Sequence, residues 1–417
     1  MNILLIHQYF LEKKDGGGSR FNELTKNWSN SGHHVTVLAG MIHYNSNQKI
    51  DKYKSKYMYL DNNFYQNVDV IRCHASGSQN LNFVGRFWSY LSFVISSTLA
   101  GIIKANKKKY DLILVSSPPL FVGITALILS FLKRVPIVFE VRDLWPESAI
   151  DTGVLKNKLL IKLSFLFEKF IYKKSRLINV LTPAFRDHLI KNKFINHSKI
   201  IFIPNAADFS LSDKLLKNFD FIKFKESLGF KNKFVFTYVG AHGLANNLFQ
   251  LVEAAEMLKD KNIIIQLIGD GMQKKDLIHM VNEKKINNVV FRDPIAKKNI
   301  FKYILSSDVG VSILKKAKAF ETIYSNKTFD YMSCKRPILM GISGVSKDLI
   351  LESKSGIYVE PENIDSIADG ILKLSKMSND ELSLMGNNGY LYAKKNFNRD
   401  ILSKDYINFL SRINDRK

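Results

Sequence analysis

Short apolar runs alternate along this chain with longer stretches whose apolar residues recur every three or four positions, the rhythm that builds a parallel sheet flanked by helices. In the first half the runs at 2–7, 34–39, 68–73, 112–116, 136–141, 177–181 and 199–203 read as strands. The rhythm then restarts, with strand runs at 234–239, 263–268, 288–291, 309–313, 337–340 and 356–359. Helical periodicity fills the intervals, as at 248–258 and 272–284. The expected fold is α/β: two doubly wound, Rossmann-like sheets facing a central cleft, with ligands outside the carboxyl ends of the strands. Residues 205–231 are polar, rich in Lys and Phe, and lack a strand pattern. They read as a linker region between a domain at 1–204 and one at 232–386. The stretch 387–417 is helical in pattern and free to pack back on the first domain.

Two stretches raise the question of a membrane. Residues 121–132 are largely apolar, too short to span a bilayer and right for a helix buried against a sheet. The stretch opening at Phe83 is longer, and Gly85, Ser89, Ser92 and Ser96 define one polar stripe along it. Phe87, Trp88, Tyr90, Leu91, Phe93 and Val94 cover the rest, and a basic run follows at Lys104, Lys107, Lys108 and Lys109. Two readings stand. The helix lies in an anionic membrane surface, which the adjoining lysines favour, or it packs on a neighbour in its own domain.

At 417 residues, 46% hydrophobic and 24% charged, the chain suits two globular domains and not a disordered polymer. Its net charge of +23 changes the picture, because it draws the protein to anionic membranes, phosphorylated small molecules or nucleic acid. A general abundance of Lys, Asn and Ile is a plainer source of the same charge. No grouping of Lys, Arg and aromatics matches a nucleic-acid module, so nucleic acid ranks last. Cys73 and Cys334 stand far apart and suggest a reducing compartment, not a disulfide framework or a metal site. Met1 leads into Asn2-Ile3-Leu4-Leu5-Ile6, which reads as a buried strand and not as the core of a secretion signal; a cytoplasmic location is the expectation.

Five clusters follow strand ends, where a ligand would sit. Gly16-Gly17-Gly18-Ser19-Arg20 precedes a helix at 21–31, and glycines at a helix start let backbone approach an anion. Its spacing is not the dinucleotide fingerprint. Arg142, Asp143, Trp145 and Glu147 crowd into six residues after the strand at 136–141. An internal Arg–Asp pair would explain part of that density; a binding site explains all of it. Tyr238-Val239-Gly240-Ala241-His242-Gly243 repeats the strand-glycine-helix arrangement in the second half, with His242 in the loop. Gly269-Asp270-Gly271 needs only a tight turn. The most specific cluster runs from Glu321 to Met332. Ser325, Asn326 and Lys327 open a helix there, a lysine and free amides that suit a diphosphate, and Asp330 stands one turn on, where it can accept from ribose hydroxyls.

Together with Ser117-Pro118-Pro119 and Ile203-Pro204-Asn205, these motifs resemble the family 4 glycosyltransferases in their order along the chain. The resemblance is greatest to the bacterial branch acting in O-antigen and capsule synthesis, typified by N-acetyl-fucosamine transferases. It implies a GT-B fold, retention of anomeric configuration, and no metal or other cofactor. The donor would be a nucleotide-sugar, UDP-linked, held by Gly240, His242, Gly243, Lys297, Glu321, Ser325, Asn326, Lys327 and Asp330. The acceptor would be a polyprenyl-diphosphate-linked glycan at the inner membrane face, held by Gly17, Gly18, Arg20, Trp145 and Glu147. Arg142, Asp143 and Lys327 would carry the catalysis. Two positions depart from the family pattern. Members typically carry two glutamates separated by seven residues; Asp330 stands at the second place and Thr322 at the first, beside Glu321. Arg142 stands where a histidine is common. A sugar-nucleotide 2-epimerase of the same fold, or a non-catalytic binder of membrane or nucleic acid, are the alternatives.

Overall fold

The computed structural model describes residues 1–13, 20–42, 49–77, 83–106, 108–151 and 153–413, apart from the side chains at 83, 84 and 86. The chain divides into two compact units, Met1–Pro204 with Asp400–Lys417, and Asn205–Arg399.

The first unit opens with β1 (Asn2–Ile6), α1 (Arg20–Asn30), β2 (His34–Gly40), β3 (Met58–Tyr65), β4 (Val68–Cys73) and α2 (Phe83–Ile103). It continues through β5 (Leu112–Ser117), α3 (Val122–Lys133), β6 (Ile137–Val141), α4 (Glu147–Asp151), α5 (Lys158–Lys174), β7 (Leu177–Val180), α6 (Pro183–Lys191) and β8 (Ile200–Phe202). The second unit contains α7 (Phe209–Asn218), α8 (Phe221–Ser227), β9 (Phe234–Val239), α9 (Phe249–Met257), β10 (Ile263–Ile268), α10 (Lys274–Glu283), β11 (Val289–Arg292) and α11 (Lys297–Leu305). After these come β12 (Val309–Ile313), α12 (Asn326–Ser333), β13 (Ile338–Gly341), α13 (Val345–Ser353), β14 (Gly356–Tyr358), α14 (Ile364–Ser375) and α15 (Asn379–Asn396). From Asp400, α16 (Arg399–Ser411) belongs to the first unit again.

Each unit is built on a Rossmann-like parallel sheet. The orders are β3-β4-β2-β1-β5-β6-β7-β8 and β11-β10-β9-β12-β13-β14. Helices cover both faces of such a sheet, so its central strands are continuous apolar runs; Ile3, Leu4, Leu5 and Ile6 are all fully buried. Among the described strands only β3 runs antiparallel, against β4 at the sheet edge, with a register shift between Asp61 and Tyr65. Its polar middle, Asp61-Asn62-Asn63, hides it from a hydrophobicity reading.

The stretch 205–231, expected as a linker, is instead two helices of the second unit. Asp208 and Asp220 cap α7 and α8 by accepting from the N–H groups of Leu211 and Lys223. Phe209 and Leu215 pack into the core with Phe301, Phe329 and Phe397. The expected boundary at 387 falls inside α15, which starts on a reciprocal Ser378–Glu381 capping box. A third correction concerns α3: Phe131 is 83% exposed, so that helix buries one face only.

A single carboxylate ties the first unit together. Glu140, on β6, is fully buried and receives Arg20 from α1 through two hydrogen bonds of 3.1 Å. Its Oε2 also accepts from Asn179 on β7 at 2.9 Å and from Tyr406 on α16 at 3.1 Å. Arg20 donates further to the carbonyls of Ile203 and Pro204, closing the exit of β8. Trp28 fixes α16 a second time, edge-on to Tyr406 at 5.5 Å and donating to the carbonyl of Ser403. Removing one partner of such a pair strands a buried charge. Glu140→Ala is therefore expected to destabilise the first unit by about 3–5 kcal/mol, and Tyr406→Phe by about 1.5–3 kcal/mol, in urea titrations. An unchanged midpoint for Glu140→Ala would show that water reaches Arg20.

Candidate functional site: a lysine without a counter-charge

In the second sheet the chain steps outward from β9 to β11, then returns to the other flank of β9 and continues from β12 to β14. The loops after β9 and β12 diverge at that reversal, the place where open parallel sheets bind ligands. After β9 comes Gly240 to Gly243. After β12 the chain passes a 3-10 turn, Lys318–Thr322, and enters α12.

Tyr331 fixes α12 in this position. Its hydroxyl accepts from the Val239 N–H at 3.0 Å and donates to the Val311 carbonyl at 3.1 Å, joining the helix to β9 and β12. Its ring lies on Gly310, where any Cβ would collide with it. Lys327, in the first turn, is thereby set above the Tyr238 ring, Nζ at 4.1 Å from the centroid. A Cβ on Gly240 would stand 3.3 Å from Nζ, and Gly240 has φ +148°, so glycine serves both the turn and the lysine.

The Lys327 ammonium has no carboxylate partner among the described residues, and burial alone lowers its pKa to about 7. It also lies at the positive end of a helix dipole, the wrong end for a cation. Three unfavourable terms meet on one side chain, and an anion at that spot would reverse all three. Ser325, at the N-cap, makes no side-chain capping bond, and Asn326 is exposed. Asp330 follows one turn later, half-buried.

The glycine loop is held from below by the Gly269 turn, which does more than reverse the chain. The Gly240 N–H donates to Ile268, the His242 N–H to Asp270, and the Gln273 N–H to His242. A Cβ at Gly269 or Gly271 would strike the backbone of Gly240 or His242. Lys274 supports the turn by donating to the Gly269 carbonyl at 3.0 Å, a residue the sequence reading passed over. The Gly240 and His242 amides are engaged, whereas those of Ala241 and Gly243 have no backbone acceptor among the described residues. The His242 ring is fully buried, its nitrogens unbonded, and burial with the Lys274 charge lowers its pKa to about 4. It is therefore a neutral imidazole at physiological pH.

Gly240, His242, Gly243, Ser325, Asn326, Lys327 and Asp330 thus belong to the two loops of one switch point. Lys297 does not join them: it stands at the start of α11, 3.8 Å from Asp208, which also pairs with Arg399. Glu321 is exposed on the 3-10 turn, its backbone packed on Gly344.

The first sheet reverses between β1 and β5. His7, at the end of β1, was missed as a candidate although its place after the first strand marks it. It is buried with Nδ1 unbonded, and its pKa is held well down by burial, then by the charges of Arg142 and Arg20. Arg142 and Asp143 follow β6. Burial raises the Asp143 pKa, against a 2.8 Å hydrogen bond from Ser148. Arg20, expected to hold an acceptor, is a core residue committed to Glu140. Glu147 is likewise engaged, by His188 at 3.1 Å and Lys193. Burial opposes its ionisation, but those bonds pull its pKa down to about 2; burial and the Glu147 charge push neighbouring Glu168 up to about 7. Trp145 is half-buried, edge-on to Phe121 at 5.7 Å. Gly17 and Gly18 lie outside the described residues.

Two doubly wound units, one presenting an unpaired lysine beside a glycine loop, define a glycosyltransferase of GT-B type. Residues 15–206 match the glycosyl transferase 4-like domain and residues 220–392 match glycosyl transferases group 1, and the chain belongs to this family. It is 21% identical over 378 residues to the "Putative colanic acid biosynthesis glycosyl transferase WcaI" of Escherichia coli (strain K12), covering 89% of this chain and 91% of that one. Sucrose-phosphate synthase of Thermosynechococcus elongatus shares the fold with a TM-score of 0.73 and 14% identity, each chain wholly covered. Alr3699/HepE of Anabaena, solved with UDP and glucose, gives 0.71 and 16%, covering 99% of this chain and 100% of that one.

A lysine kept against its own stability makes a direct prediction. The unfolded chain holds a proton on Lys327 up to its ordinary value near 10.5, the folded chain only to about 7, so stability should rise with pH between those values. Lys327→Met should raise stability at pH 7 by about 2–4 kcal/mol, and the gain should shrink as the pH rises and vanish above the unfolded value of 10.5. Denaturant midpoints of both proteins across that range check it.

Proposed function

We propose that the enzyme transfers a sugar, an N-acetylated amino or deoxyamino sugar, from a UDP-sugar to a polyprenyl-diphosphate-linked glycan with retention of configuration. The observation that carries this reading is the Lys327 ammonium, unpaired and set against Gly240 at the switch point. A nucleoside diphosphate supplies the missing charge. As the bond from the anomeric carbon to the diphosphate breaks, negative charge grows on the leaving oxygen. Lys327, the Ala241 and Gly243 amides and the first turn of α12 stabilise that charge where it develops. Asp330, one turn along α12, takes the ribose hydroxyls. Arg142 and Asp143, at the carboxyl end of β6, receive the acceptor diphosphate and hydroxyl in the first unit. The colanic acid assignment of the Escherichia coli relative supports a polysaccharide role, and the UDP bound by Alr3699/HepE supports the donor class.

UDP should stabilise the protein by about 2.7 kcal/mol at one hundred times its dissociation constant. Lys327→Gln should weaken UDP about 10- to 150-fold, the worth of a charge-assisted hydrogen bond. Incubation with a panel of UDP-sugars and a lipid-linked acceptor should release UDP only when acceptor is present, and proton NMR should show the donor's anomeric configuration in the product. Donor conversion without acceptor would identify an epimerase instead, and no UDP release with any donor would refute the transfer.

A further inference from the structure

Helix α2 turns its serine stripe inward, beside Phe93, Val94 and Ala100. Its serines face the interior: Ser89 donates to the Ser76 carbonyl, Ser96 to that of His74, both at 2.6 Å, and Ser97 bonds Thr125 of α3. The polar stripe seen in sequence is therefore the buried face, while Phe87, Trp88, Leu99 and Ile103 stand exposed. Small residues bring the helices together side by side. Gly101 of α2 lies on Leu129 of α3, and Gly123 of α3 lies on Phe167 and Ile171 of α5.

The outer surface of this three-helix layer carries many exposed apolar side chains. Of the 25 large hydrophobic side chains exposed among the described residues, six lie on α2, three on α3 and five on α5. On α5, Leu159, Leu163, Leu166 and Phe170 recur at helical spacing and form one exposed ridge. Monomeric soluble proteins rarely expose so continuous an apolar patch.

Charge decides what covers it. The three helices contain one acidic residue, Glu168, and it is buried. Exposed Lys158, Lys162, Lys169, Lys173 and Lys174 flank the α5 ridge, with Lys104 and Arg134 at the ends of α2 and α3. A second copy of this face would oppose lysine to lysine. An anionic lipid surface answers both the ridge and its border. No helix among the described residues is long and apolar enough to cross a membrane.

We infer that α2, α3 and α5 form a docking face that lies in the interfacial layer of an anionic bilayer. The face reaches the acceptor motif through an aromatic chain, Phe87 to Phe121 at 5.5 Å and Phe121 to Trp145 at 5.7 Å. A lipid-borne acceptor would then meet the β6 end from the bilayer plane. That consequence rests on the acceptor proposed above; the docking itself does not.

The test is flotation of the full chain with vesicles of phosphatidylcholine alone or mixed with phosphatidylglycerol. Binding should require phosphatidylglycerol and fall with salt. Lys162→Gln and Lys169→Gln should each weaken it about fivefold, and Phe131→Ser with Leu163→Ser about tenfold or more. All four side chains are exposed, so the UDP-induced thermal shift should persist in every variant and report that the protein is folded and its donor site intact. Equal binding to both vesicle types, or binding indifferent to these changes, would overturn the inference. So would sedimentation as a dimer that Phe131→Ser dissolves, with no lipid bound.

Discussion

A parallel sheet that reverses its strand order once has one place where neighbouring loops part, and both units obey that constraint. In the second unit the parting lies between β9 and β12, and the glycine loop and the first turn of α12 meet there. Gly310 is the pivot of the arrangement. Without a side chain it admits the Tyr331 ring, and Tyr331 then joins α12 to both strands. The position of Lys327 is thus a property of the sheet and not of a loose loop. That rigidity is what allows the lysine to remain uncompensated: a mobile side chain would swing to water or to a carboxylate. An electrostatic site that needs no rearrangement when charge appears is the physical form of preorganisation.

In the first unit, three residues at one strand end divide between the core and the rim. Glu140 faces inward and serves α1, β7 and α16, while Arg142 and Asp143 stand at the rim of the same strand. Two arginines stand nearby. Arg20 is held by a bidentate carboxylate and two carbonyls, and the charge of Arg142 helps to keep the buried His7 neutral. Neutral His7 and a protonation-prone Asp143 give this corner groups that titrate away from their ordinary values, a common mark of functional sites.

Much of this was legible in the chain itself. All but one strand of the two sheets announced itself as an apolar run, because parallel strands buried on both faces have no polar alternation to blur them. Lys327, Gly240 and Asp330 were legible because a glycine turn and a helix start leave local signatures. Several of the failures come from partners distant in sequence. Arg20 looked like an acceptor-binding residue, whereas Glu140, Ile203 and Pro204 claim it. Glu147 has its partners on α6 and just beyond it, at His188 and Lys193. Residues 205–231 carry helix caps at Asp208 and Asp220, but a polar, Lys-rich surface hid them. The stripe on α2 was found, yet periodicity cannot tell which face of a helix points inward when serines can be satisfied by buried carbonyls.

The return of α16 to the first unit carries a consequence for synthesis. The second unit is one continuous stretch, whereas the first lacks Tyr406 and the lid over Trp28 until nearly the whole chain has been made. At roughly 5–20 residues per second, the about 200 intervening residues take some 10–40 seconds to emerge. During that time the first unit holds an open groove and a buried carboxylate short of one donor. Folding order along this chain need not follow reading order: the half made second is the first to have all its parts.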